Sequence, residues 1–78
     1  MLVSLDKNIW LYEWMTQTYG NEIYEIIDQK YPPRLKDLRK QLTNLLVSKG
    51  YKAHWTSSDD IIIAMTEEEY IFLKLKYA

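Results

Sequence analysis

The chain has 78 residues, with 10 Lys and Arg against 11 Asp and Glu and a formal net charge of −1. An apolar fraction of 47% excludes a disordered chain, and the charge balance speaks against a binder that holds nucleic acid by bulk electrostatics. The length bounds the protein to a single domain over residues 1–78, with room for one core and one working surface.

The absence of cysteine removes both a disulfide framework and a thiolate site, which places the expected home in the cytoplasm. His54 is the only histidine, so no transition-metal site is expected within one protomer. The two glycines, Gly20 and Gly50, stand alone, so there is no Gly-rich phosphate loop. No enzyme and no cofactor are expected, because no set of side chains supplies a positioned acid, base or nucleophile. The apolar start from Met1 to Leu5 is interrupted by Asp6 and Lys7, too short for a signal peptide core, and no run reaches the ~18 apolar residues of a membrane span. Seven Tyr and three Trp against one Phe favour amphipathic contacts, and with them a protein that binds something.

In chain order, residues 8–19 (NIWLYEWMTQTY) predict a helix with Ser4 or Asp6 as N-cap and Gly20 as its stop. Its inward face would carry Ile9, Leu11, Tyr12, Met15 and Tyr19, leaving Trp10 and Trp14 stacked on the opposite side. A strand is the alternative, since Trp, Tyr and Ile favour strands. Asn21 can cap a second, short helix with Ile23, Ile26 and Ile27 on one face, ended by Tyr31-Pro32-Pro33.

Residues 33–49 (PRLKDLRKQLTNLLVSK) predict the main helix, with Pro33 in its first turn and Gly50 just past its end. Leu35, Leu38, Leu42, Leu45 and Leu46 fall within an arc of about 100°, the width of a core-facing stripe. Lys36, Arg39, Lys40 and Thr43 share a second, basic face. Charge is polarised to match: Lys30, Arg34, Lys36, Arg39, Lys40, Lys49 and Lys52 lie between residues 30 and 54 with Asp37 as the sole acid. This face is either a solvated helix surface or a positive footprint for phosphate or an acidic protein surface.

After Gly50, Tyr51, Ala53 and Trp55 alternate with Lys52, His54 and Thr56, and Ser57-Ser58-Asp59-Asp60 is turn chemistry, so a hairpin over residues 51–65 is expected. The last segment has two readings. Thr66 with Glu69 three residues on is a capping-box signature, whereas Ile71, Leu73, Leu75 and Tyr77 alternate as a strand would; the β-rich run favours the strand. The expected fold is α+β: two or three N-terminal helices packed on a C-terminal antiparallel hairpin or three-stranded meander. Its core would join the five leucines to Ile23, Ile26, Ile27, Ile61 and Ile63.

Helix, short helix, sharp turn, a long basic helix ending in LLVSKGY, then a hairpin: this order resembles a winged helix-turn-helix domain over about residues 8–66. The resemblance implies that the third helix enters the major groove of double-stranded DNA while the hairpin touches the backbone. Groove-facing positions would fall on Arg34, Lys36, Asp37, Lys40 and Gln41, with Arg39 and Thr43 near phosphates. Lys52 and His54, with Ser57 and Ser58 at the tip, would be wing contacts. A homodimer is the expected assembly, since one such module buries little surface on DNA.

A second reading comes from another class. Trp10 and Trp14 on an outward face, with Asp59 and Asp60 in the turn, would suit a small inhibitor or adaptor that occludes a partner's functional surface. Small aromatic-rich proteins of phages and mobile elements, anti-defence and anti-CRISPR proteins among them, resemble this chain in texture.

Overall fold

The computed structural model describes residues 1–28, 34–58 and 60–78. Its elements run β1 (Leu2–Ser4), α1 (Trp10–Ile27), α2 (Leu35–Ser48), β2 (Lys52–Trp55), β3 (Ile61–Ala64) and α3 (Glu67–Tyr77). The class is α+β as expected, but a strand opens the chain and a helix closes it, so the order of helices and strands differs from the expected one.

The predicted hairpin is present, with Lys52 opposite Ala64 and Trp55 opposite Ile61. The third strand comes from the other end of the sequence. β3 is central, β2 is on one side and β1 on the other, all antiparallel, so the sheet is not a C-terminal meander. Val3 pairs with Ile63 and Ser4 with Ile62, and the ladder continues through a hydrogen bond from the Leu5 amide to the Ile61 carbonyl at 3.0 Å. Because strand side chains alternate, Val3, Ile61, Ile63, Ala53 and Trp55 share the inner face. Leu2, Ser4, Ile62, Ala64, Lys52 and His54 share the outer one.

Residues 66–78 form a helix rather than the expected strand. The Thr66 hydroxyl accepts the Glu69 amide at 3.1 Å, as the capping-box signature implies, and three glutamates in the first turn with two lysines in the last suit the helix dipole. Tyr70, Leu73 and Tyr77, spaced i, i+3, i+7, face inward against the core, a pattern hidden within an almost uniformly apolar run. The Trp10 and Tyr70 rings meet at 5.8 Å, and the Tyr70 hydroxyl lies 3.2 Å from Asn8 Oδ1.

α1 runs over residues 10–27 as two helical segments that meet at a kink at Tyr19 (φ −125°, ψ 29°), one residue before the expected Gly20 stop, and Gly20 itself is helical. A glycine weakens a helix by ~1 kcal/mol without forbidding it. The buried arc is also rotated from the predicted one: Leu11, Trp14 and Met15 are inside, while Ile9 is 73% exposed. Trp14 is enclosed by Tyr19 and Tyr51, whose rings meet it edge-on at 6.2 and 5.5 Å. Trp10 is half-buried, so the two indoles do not form an outward stack.

α2 matches its expected boundaries from Leu35 onward, and Gly50 adopts the left-handed φ of 94° anticipated for the residue past its end. Pro33 lies outside the described residues, as do Lys30, Tyr31 and Pro32. Leu42 and Leu46 are buried with Ile61 and Ile63, and Leu38, Leu45, Ile23 and Ile26 are partly covered. Leu35, at 67% exposure, and Ile27, at 48%, are not core residues, because each stands at the open end of its helix. Val3 and Leu5, from a segment with no expected element, complete the core together with Met65 at the end of the hairpin.

Leu46 is fully buried, so Leu46→Ala should lower unfolding free energy by about 2–5 kcal/mol, whereas Leu35→Ala should change it by less than about 1 kcal/mol. Urea unfolding of both variants checks this, and equal losses would contradict the orientation of α2.

Candidate nucleic-acid interface

The geometry of α2 sorts the sequence-predicted contact residues. Leu38 and Leu42 look toward α1 across a cleft of about 270 Å³ that they share with Met15 and Ile23. Gln41 and Leu45 lie beside Glu22, Glu25 and Ile26 of α1. Gln41 is thus half-buried next to carboxylates rather than presented to a groove. Thr43 is 7% exposed, and its hydroxyl donates to the Arg39 carbonyl at 2.8 Å, so it cannot approach a phosphate.

Arg39 is committed inside the molecule. Its Nη1 donates to Asp6 Oδ2 at 2.6 Å and lies 3.4 Å from the Tyr12 hydroxyl, which itself donates to Asp6 Oδ1 at 2.7 Å. These three side chains form the polar end of the cleft between α1 and α2. Burial pulls the Asp6 carboxyl upward, but the bonds from Tyr12 and Arg39 and the Arg39 charge outweigh it and hold Asp6 below its ordinary value. Tyr12 is pushed up to about 12, first by burial and then by Asp6. The pairing joins residues 33 apart in sequence, and no local pattern announces it.

Outward on α2, beside the exposed Leu35, Val47 and Ser48, is a polar strip of Lys36, Asp37, Lys40 and Asn44, with Arg34 at its start. Lys36 Nζ sits 5.5 Å from the centre of the Trp55 ring, near enough for a cation–π contact. Since Trp55 is the last residue of β2, this contact sets the hairpin end, with exposed Ser57 and Ser58, beside the first turn of α2. Lys49 is not free in the same way: its Nζ binds Glu22 at 2.9 Å. Among the described residues, Arg34, Lys36 and Lys40 have no carboxylate partner.

Lys52 and His54 are exposed but belong to the outer face of the sheet, whereas Ala53 and Trp55, between and after them, turn toward α2. They therefore do not join the α2 strip on one surface. Asp59 lies outside the described residues. Asp60 is engaged, accepting from the Ser4 hydroxyl and, at 3.4 Å, from the Asp6 amide. Of the described residues named for an inhibitor surface, Trp14 is buried and Trp10 and Asp60 are half-buried.

Among the described residues, no three His, Asp or Glu side chains converge as a metal site would require, and no helix is long and apolar enough to cross a membrane. No protein-family model matches this sequence, and comparison with curated proteins and with solved structures gives no match.

Asp6 binds its proton less readily folded than unfolded, so its contribution to stability is complete above the ordinary carboxylate pKa of about 4 and is lost as pH falls through the lower folded value. Arg39→Met should cost about 1 kcal/mol at pH 7, a figure kept small because the Asp6 side chain is 35% exposed and solvent screens the pair. The gap between variant and wild type should narrow below pH 4, as read from thermal melts across pH 2.5–7 set by this titration.

Proposed function

We propose that this protein is a non-enzymatic DNA-binding regulator of winged-helix-like design whose working surface is the outward strip at the start of α2. The observation that carries this reading is the set Arg34, Lys36 and Lys40: three solvent-facing cations without a described carboxylate partner on the first turns of a helix whose other sides are packed against α1 and the sheet. A helix presents exposed amides and partial positive charge at its N-terminus, so the same end of α2 suits phosphate. The first turns are also what a recognition helix offers to bases. The hairpin end held beside it by Lys36 and Trp55 supplies the Ser57 and Ser58 hydroxyls as backbone contacts in the manner of a wing.

This footprint is smaller than the one expected from sequence, because Arg39 and Thr43 serve the fold and Gln41, Lys52 and His54 face elsewhere. Binding is consequently expected to be weak for one module and dominated by phosphate contacts.

Fluorescence anisotropy of a labelled duplex titrated at two salt concentrations tests the reading. Three neutralised phosphates give a log–log salt slope of about −2.7. Lys36→Glu/Lys40→Glu should abolish binding with the circular dichroism spectrum unchanged, while Lys7→Glu, an exposed change away from α2, should leave most of it. No binding at low salt would refute the proposal.

A further inference from the structure

α3 is packed on one side only. Tyr70, Leu73 and Tyr77 face the core, whereas Ile71, Phe72 and Leu75 point outward at 49%, 65% and 83% exposure. At about 100° per residue, these three span an arc of about 100° centred opposite the buried side, a stripe of a kind that other surfaces cover, with the exposed Glu68 in the same arc at its N-terminal end.

Charge on the two flanks of the stripe tells what covers it. One flank carries Glu67 and, two turns on, Lys74; the other carries Glu69 and, two turns on, Lys76. Each flank is thus acidic at its start and basic at its end, and none of the four has an ion-pair partner among the described residues. When two helices pack antiparallel across a two-fold axis, each flank meets the same flank of its mate run in the opposite direction. Aligning Ile71 with Phe72 of a second copy then brings Glu67 to within two residues, about 3 Å along the axis, of Lys74 on one flank and Glu69 to within the same distance of Lys76 on the other, with Glu68 level with Leu75 at the ends of the contact. One axis satisfies both flanks, giving four complementary pairs around an apolar centre. A parallel pairing would set glutamate against glutamate and lysine against lysine.

We propose that the outward face of α3 is a self-association surface, and that its occupant is α3 of a second copy of this chain, antiparallel and two-fold related. The dipoles of the two helices then oppose each other, so the pairing agrees with the dipole preference that already favours glutamates first and lysines last. The contact is one 11-residue helix, about 16 Å long, from each side. It falls at the small end of protein interfaces, so the dimer forms in the micromolar range and exchanges readily. The surface is separate from the strip on α2, and the proposal does not rest on the nucleic-acid reading.

Sedimentation equilibrium of the full chain over a wide concentration range tests the proposal. The wild type should move from monomer to dimer mass, and Leu75→Ser should raise the dissociation constant about tenfold or more with an unchanged melting temperature, since this side chain is exposed in the monomer. Two charge variants decide the geometry. Lys74→Glu/Lys76→Glu and Glu67→Lys/Glu69→Lys should each be monomeric alone, and an equimolar mixture should restore dimers. A wild type that stays monomeric throughout would overturn the proposal, as would dimers indifferent to all these changes. A monomer that instead partitions through Phe72 and Leu75 onto phosphatidylserine vesicles would give the stripe to a lipid surface and overturn it equally.

Discussion

β3 is the constraint on which the rest of the molecule depends. Ile61 and Ile63 are fully buried, and the backbone between them is hydrogen-bonded on both sides. A central strand in a three-stranded sheet can be satisfied only if two other segments supply partners, since buried amides and carbonyls without them are costly. β2 arrives through the hairpin turn. β1 arrives from the start of the chain, which ties the first residues to residues 61–64 and explains why Val3 and Leu5 are core residues. Once the inner face of this sheet is apolar, α1 and α2 have a surface to cover, and their buried arcs follow from it.

The polar cluster of Asp6, Tyr12 and Arg39 is the second tie. It joins the segment after β1, the first turns of α1 and the middle of α2 at the polar end of the cleft between the two helices. Its effect on the basic face is subtractive: by holding Arg39 inward it removes the central cation and leaves Lys36 and Lys40 as the outward ones. Lys36 in turn rests on Trp55, a contact that adds to the packing of α2 on β2 in holding the outward strip beside the end of the hairpin.

α3 shows how the same residues serve two purposes. The Thr66 cap and the charge gradient stabilise a short helix that would be marginal alone, while Tyr70, Leu73 and Tyr77 seat it on α1 near Trp10. Those tasks use one side of the helix. Ile71, Phe72 and Leu75 are left over as an exposed apolar triad on the far side, with Glu68 at its N-terminal end.

Local signals in the sequence were enough to determine α2, its glycine stop, the hairpin and the α+β class, because each rests on spacing, a cap or turn chemistry within a few residues. They also supplied the candidate cations. Which of those cations face outward was decided only by the tertiary structure, since Asp6 and Arg39 are distant in the chain and meet through the packing of α1 on α2. The same holds for β1, whose three residues have no strand identity until β3 offers an edge, and for Trp14, drawn inward by Tyr19 and Tyr51. For residues 66–78 both periods were present in the letters. The helix prevails because the two flanking strands already complete β3, so a further strand has no place beside it, while α1 offers a helix an apolar side to bury against.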